Sequence, residues 1–559
     1  MQTLIRILII ILIFLYGSTY HVIAQEKSRN GMVVSAHRIA SEIGIKILKD
    51  GGNAIDAAVA VGFALAVVFP EAGNIGGGGF LLFRNNEGKV ICLDFREKAP
   101  KKIATEMFLD SSGNVTRDII RGCKSAGVPG TVAGLVTAQK KYGRFNFKQV
   151  IQPAIDVALN GFIVDENLSE NLCEYEKEFK EYESTVKVFT RNGNLYKEGD
   201  TLYLKDLAET LCRIRDTEGK DFYNGKTAEL IVNEVNRGGG FITKDDLMSY
   251  DVVERIPVKG IYRGYEIYSV PPPSSGGICL ISILNILEGF NLTNMGFHSS
   301  SSVHTMVEAM KLVYSDRAYY LGDPAYNDIP VEWLISKQYA QERIKNIDSM
   351  VAKPSSEINM NTQDKKHTTH YSVIDKDGNC VAVTYTINDL FGSQVIVDGA
   401  GFFLNNEMDD FSVKPGVSNS YGLTGGKANC IEPGKRPLSS MTPTILVKDN
   451  KPFLILGARG GSRIITAVLQ VIVNIIDYGM NVQNAVNMPR FHHQWIPDEI
   501  VCETFCLPVD VIYNLGLKGH KIRNTESSCG EIEAIYIDSA EGWIYGGADF
   551  RENGVVAGY

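Results

Sequence analysis

Residues 368–387, TTHYSVIDKDGNCVAVTYTI, read as two β-rich runs joined by Lys376-Asp377-Gly378-Asn379. A Gly-containing turn between two such runs predicts a β-hairpin. The hairpin is entered from SMVAKPSSEINMNTQDKK, residues 349–366, which is polar, lacks any aromatic residue and has no periodicity. That composition predicts an exposed, mobile loop. Elsewhere helical and strand patterns alternate without an internal repeat. Ser301 to Gly322 carries apolar residues at three-to-four spacing and predicts a long helix. Tyr265–Val270 predicts a strand that runs into PPPSSGG, Pro271 to Gly277, followed by the apolar helix ICLISILNIL. A strand and a helix flanking the Pro run make it a rigid loop inside one domain rather than a linker. The fold class is α/β.

Two apolar stretches bear on membranes. Arg6 precedes ILIIILIFLY, Ile7 to Tyr16, and the segment then reaches Val22-Ile23-Ala24. The run is short for a span of about 30 Å of hydrocarbon, so residues 1–24 read as a removable signal peptide. The expectation is an exported protein, periplasmic or secreted. Ala54 to Phe69, AIDAAVAVGFALAVVF, contains Asp56 and Gly62 and is followed by Pro70. It reads as a buried core helix, with Gly52 and Asn53 supplying a turn and a cap. No stable membrane span is expected. The net charge of −9 becomes −10 without residues 1–24, which hold Arg6 and no acid, and this argues against nucleic-acid binding. The ten cysteines are too sparse for a disulfide scaffold and none falls in a CxxC pair. Cys502 and Cys506 have no neighbouring His or Cys in the sequence to complete a zinc set, so neither a metal nor a cofactor is expected.

A mobile loop feeding a hairpin that opens on Thr368-Thr369 suits one particular chemistry. In N-terminal-nucleophile hydrolases the peptide bond before a Thr or Ser breaks, and the new terminal residue becomes catalytic. Its hydroxyl attacks, and its own α-amine, with an ordinary pKa of about 7.7–8.0, takes the proton. A Thr-Thr pair alone is more often an ordinary strand element.

Longer motifs decide between these. LDFREKAP (Leu93–Pro100), TTHYSV, NNEMDDFS (Asn405–Ser412), KRPLSSMTPTI (Lys435–Ile445), GARGGSRII (Gly457–Ile465) and PRFHHQW (Pro489–Trp495) closely resemble the γ-glutamyltransferases, also called glutathione hydrolases. The resemblance runs in order from GMVVSAH at Gly31 to the C-terminal region. It implies a four-layer αββα N-terminal-nucleophile hydrolase fold, made as one precursor. The cut would fall between His367 and Thr368, giving a large subunit, 25–367, and a small subunit, 368–559, that stay together as a heterodimer. Implied substrates are glutathione and other γ-glutamyl compounds, with amino acid or dipeptide acceptors.

The resemblance also assigns roles. Thr368 matches the nucleophile, and Thr386 the second threonine that orients it. Arg96, Ser439 and Ser440 match the grip on the substrate α-carboxylate, where a planar guanidinium suits bidentate binding. Asn388, Glu407 and Asp410 match the positions that bind the α-amino group; carboxylates there are sensible because an unpaired buried ammonium is costly. Gly460 and Gly461 match the backbone amides of the oxyanion hole, where a bare backbone approaches closely. Pro415 to Gly426 corresponds to a lid loop, with Tyr421 at its central aromatic position. IGGGGF, Ile75 to Phe80, lacks a GK[ST] ending and reads as a packing turn. INDLFGS departs in detail around Asp389 and Leu390, which bears on acceptor preference.

Two other readings make different demands. A non-catalytic binding protein on this fold would be expected to lose Thr368, Arg96 or the Gly pair. A related amide acylase acting on a non-glutathione substrate, such as a β-lactam side chain, would be expected to alter the amino-acid clamp. All these residues are present.

Overall fold

A computed structural model describes residues 26–358, 368–414, 416, 422–423 and 425–559. The signal-peptide segment, the bond before Thr368 and Tyr421 of the lid lie outside the described residues.

Among the described residues two seven-stranded sheets form the centre. The first runs Val555–Gly558, Met32–Ser35, Thr369–Ile374, Cys380–Thr386, Gly78–Arg84, Val90–Asp94 and Val253–Arg255 in spatial order. The second runs Lys27–Ser28, Trp543–Ala548, Glu531–Asp538, Lys451–Arg459, Thr444–Lys448, Tyr265–Ser269 and Val258–Tyr262. Every neighbouring pair in both sheets is antiparallel. Met32, Val34, Phe80 and Leu82 of the first sheet pack with Ile445, Ile455 and Ile535 of the second in one apolar layer between them. Helices cover both outer faces, which makes the αββα sandwich.

The helix Ala54–Val68 lies against the outer face of the first sheet, and all fifteen of its residues are buried. An Ala-rich helix permits that close approach, and Asn53 with Asp56 closes its N-terminus in a reciprocal capping box. On the second sheet's outer face, Gly276–Leu287, Ser300–Tyr320 and Ile464–Ile476 pack together. IGGGGF is only partly the turn expected from its glycines: Gly78 onward is strand. The reason is contact, since a Cβ on Gly77 would sit 1.8 Å from the Thr386 carbonyl oxygen.

Of the polar segment 349–366, residues 359–366 lie outside the described residues, and the part that is described departs from expectation. Met350 and Val351 are exposed, but Ala352 and Ser355 are buried. The Ala352 N–H donates to the Lys518 carbonyl at 2.7 Å, the Lys353 N–H to Glu308 at 3.2 Å and the Ser355 N–H to Asp498 at 2.7 Å. Partners far away in sequence tether what local composition presents as a free loop.

Candidate active site

Strand alternation sets the first part of the site. Thr369 pairs with Tyr385 in the hairpin, so one further step brings Thr368 opposite Thr386. Tyr371 and Tyr385 join the helix-covered core, while His370 and Ser372 face the second sheet; Thr368 and Thr386 share that inner face by the period of two. The two hydroxyl oxygens are 3.5 Å apart. The Asn388 N–H donates to Thr386 Oγ1 at 2.8 Å, which leaves the Thr386 proton to point at Thr368. Asn388 itself has φ +76°, a region Asn tolerates, and its side-chain amide donates to the Asn406 carbonyl at 3.0 Å. The strand end is thereby tied to NNEMDD.

His370, two residues on from Thr368 and paired with Thr384, is the next residue on the same inner face. Its Nδ1 is 2.8 Å from Thr384 Oγ1 and its Nε2 3.0 Å from Ser372 Oγ. Ser372 donates to the Glu533 carbonyl at 3.1 Å, so it accepts from His370 and the ring proton sits on Nε2. Burial pushes the ring down to about 3, and it is neutral near pH 7.

The second part of the site is a buried charge cluster. Arg96 follows the strand Val90–Asp94 and is fully buried. Its Nη1 donates to Glu97 at 3.1 Å and pairs with Glu407, its Nη2 pairs with Asp410, and its Nε reaches the Pro437 carbonyl at 3.3 Å. Glu407 and Asp410 stand at the two ends of one 3-10 turn. Burial opposes the guanidinium charge, but Glu407, Glu97 and Asp410 more than offset it and raise the Arg96 pKa. Burial likewise raises Glu97 to about 7 and Glu407 well above the usual carboxylate range, against the pull of Arg96. Glu97 Oε1 and Glu407 Oε2 are buried with no hydrogen-bond partner. Three carboxyls around one guanidinium leave an excess of acceptors that a cation would satisfy.

Ser439 and Ser440 come from the stretch that precedes the strand Thr444–Lys448. The Ser439 N–H donates to the Pro273 carbonyl at 2.9 Å, and the Ser275 N–H returns to the Ser439 carbonyl at 2.8 Å. The PPPSSGG loop is thus a brace for the serine pair. Gly460 and Gly461 lie between the strand Lys451–Arg459 and the helix Ile464–Ile476, with φ of +127° and +56°. Both angles favour glycine, and a Cβ on Gly460 would come within 2.9 Å of Gly530 Cα.

One pocket is lined by Thr368, Thr386, Asn388, Glu407, Asp410, Ser439, Ser440 and Gly461. Leu423, Met441, Ser462 and Ile464 complete its wall. Arg96 stands behind Glu407 and Asp410 rather than on that wall, and Gly460 precedes its lining residue.

The model of the gamma-glutamyltranspeptidase family matches residues 40–559. The chain belongs to that family. The glutathione hydrolase proenzyme of Escherichia coli strain K12 is 48% identical over 550 residues, covering 97% of this chain and 94% of that one. A cephalosporin acylase structure from Bacillus halodurans superposes with a TM-score of 0.85 at 30% identity, covering 96% of this chain and 97% of its own. The gamma-glutamyltranspeptidase structure from Helicobacter pylori gives a TM-score of 0.59 at 48% identity, covering 60% of this chain and 96% of its own. The αββα architecture expected from the sequence is therefore that of known N-terminal-nucleophile hydrolases.

Glu97 belongs to the charged cluster but was not singled out from the sequence, although it lies inside LDFREK next to Arg96. Its signal was an acid beside an arginine in a run that leads out of a buried strand. A second cluster was not foreseen at all. Among the described residues, His304, Glu308 and His520 bring ring nitrogens and a carboxylate within 4.8 Å of one another. Their atoms already have partners: His304 Nδ1 faces His520 Nε2 at 2.7 Å, His304 Nε2 the Asp348 carbonyl at 2.6 Å, and Glu308 the Lys311 ammonium at 2.9 Å. Lys311 supplies the positive charge there, and the cluster anchors the segment that leads toward Thr368. No helix among the described residues is long and apolar enough to cross a membrane.

Proposed function

We propose that the chain is cut between His367 and Thr368 by Thr368 itself, and that Thr368 then opens the γ-glutamyl amide of glutathione and related compounds. The observation that carries this reading is the shared pocket, lined by a threonine pair and by Glu407 and Asp410, which Arg96 backs from behind. An α-amino acid zwitterion matches that cluster charge for charge. Its carboxylate takes the Arg96 fork with the Ser439 and Ser440 hydroxyls, and its ammonium takes Glu407, Asp410 and Asn388. The Arg96–Glu407 and Arg96–Asp410 pairs are exchanged for pairs with the substrate while Glu97 stays beside Arg96, and no charge is left buried alone.

In the reaction, Thr368 Oγ bonds to the γ-carbonyl carbon while the Thr368 α-amine accepts the hydroxyl proton. The Gly460 and Gly461 N–H groups hold the oxyanion at the start of a helix, where the dipole favours negative charge. The C–N bond breaks, the proton passes to the leaving amine, and a γ-glutamyl ester remains on Thr368. Water or an amino acid or dipeptide amine then attacks the ester and restores the hydroxyl. The two fragments of the cut chain, 25–367 and 368–559, stay together as one heterodimer, exported to the periplasm or medium. A Helicobacter pylori gamma-glutamyltranspeptidase chain covered to 96% by 60% of this one supports a division into a larger and a smaller part.

The similarity to a cephalosporin acylase favours a second reading, an amide acylase without an amino-acid requirement. Initial rates on a γ-glutamyl anilide, with and without a dipeptide acceptor, separate the two. Turnover that rises with the dipeptide and gives parallel double-reciprocal plots is expected. No turnover of the anilide beside turnover of a β-lactam side-chain amide would overturn the γ-glutamyl reading.

A further inference from the structure

Arg317 is buried in the last turn of the helix Ser300–Tyr320, and the roles above do not use it. Its Nη2 donates to Ser440 Oγ at 3.1 Å and its Nε to Ser275 Oγ at 2.9 Å. Ser275 Oγ in turn donates to the Ser439 carbonyl at 2.7 Å. A guanidinium has donors only, so both serine oxygens must accept from it. The Ser440 proton is therefore turned away from Arg317, and Ser440 lines the pocket.

The charge environment sets this arginine apart from three others in the interior. Arg96, Arg436 and Arg490 each have a carboxylate within ion-pair distance. Among the described residues Arg317 has none. The adjacent Asp316 belongs to Arg343 and Tyr339. Burial lowers the Arg317 pKa, partly opposed by Cys279, Tyr314 and, least, Asp410. A buried cation without a counter-ion is costly, so its position one hydroxyl away from the pocket calls for an anion there.

We propose that Arg317 is a positioning residue for the substrate α-carboxylate: it orients and polarises the Ser440 hydroxyl and supplies a second positive charge behind it. This rests on the reading of Arg96, Ser439 and Ser440 as the carboxylate clamp. It also gives the PPPSSGG loop a function, because Ser275 fixes the guanidinium and the Ser439 carbonyl together. The ligand feature recognised is a free carboxylate on the α-carbon, not the leaving group.

The test compares a γ-glutamyl anilide with the same compound carrying an α-carboxamide. Arg317→Gln should raise KM for the free acid at least tenfold, hold kcat within about threefold and leave kcat/KM for the α-amide nearly unchanged. Arg317→Lys should recover part of the loss in KM. In a Ser440→Ala background, Arg317→Gln should cost much less than it does alone, because the two act on one group. Equal losses on both donors, a fall in kcat at constant KM, or full additivity with Ser440→Ala would overturn the proposal and leave Arg317 as a structural staple. If Arg317→Gln stays a single unprocessed chain, Ser275→Ala is read in its place; a KM rise of a few-fold confined to the free acid supports the proposal, and no such rise overturns it. A wild-type protein that fails to prefer the free acid over the α-amide would instead overturn the clamp reading.

Discussion

The two ends of the pocket are built in opposite ways. At the threonine end, neutral hydroxyls meet because they are neighbours across one hairpin, and register alone brings Thr368 to Thr386. At the charged end, Arg96, Glu407 and Asp410 come from segments more than 300 residues apart and are held by ion pairs in a desolvated cluster. A local hairpin tolerates exchange of its side chains because its backbone bonds persist. A cluster with three acids around one base has no such reserve, since removing one partner leaves uncompensated charge. The difference predicts how each end fails.

The largest effect is expected at the threonine end, because the chemistry depends on a single atom there. Thr368→Ala should fold yet run as one full-length chain with no measurable γ-glutamyl transfer. A Thr368→Ala protein that still splits at this position on a denaturing gel would show that an outside protease makes the cut. At the charged end, Arg96→Lys keeps the charge but loses the planar fork. It should lose at least tenfold in kcat/KM, or about 1.4 kcal/mol of transition-state binding. Near-normal kinetics would remove Arg96 from the clamp.

Thr386→Val keeps the shape of the strand and removes one hydroxyl. A net hydrogen bond of about 1 kcal/mol makes the expected loss roughly fivefold in kcat, with KM little changed. A loss as large as that of Thr368→Ala would mean that Thr386 does more than orient its neighbour.

The smallest expected effect is on stability. Burial holds Glu97 at about 7 against an ordinary 4.5. Between those values the unfolded chain has released this proton and the folded chain has not, so stability falls as pH rises across the window. One proton corresponds to a slope of at most about 1.4 kcal/mol per pH unit. His370 acts in the opposite sense: its folded value of about 3 lies below the ordinary 6.5, so stability is lost as pH falls through that range. Glu97→Gln should flatten the decline between about pH 4.5 and 7 in denaturant titrations. An unchanged profile would mean that Glu97 is ionised in the folded chain.

The same contrast explains what could be read from the sequence. The hairpin, the Ala54–Val68 helix with its Asn53 cap and the strand at Tyr265 all follow from local pattern, and all are present. The motif runs pointed to most of the pocket wall. What local pattern could not supply was pairing over distance. Nothing near Ser355 announces Asp498, nothing in PPPSSGG announces the Ser439 carbonyl, and Arg317 sits in a helix whose period reads simply as core. The anchoring of residues 352–355 and the brace behind Ser440 depend on such contacts, which carry no periodic signal.

In the proposed cycle Thr368 carries the γ-glutamyl group as an ester. Incubating the processed protein with a γ-glutamyl electrophile and sequencing the labelled peptide tests it directly. One label per heterodimer is expected, on the first residue of the small subunit, Thr368, and excess glutathione present from the start should prevent it. A label on any other residue, in protein that turns over a γ-glutamyl anilide, would contradict it.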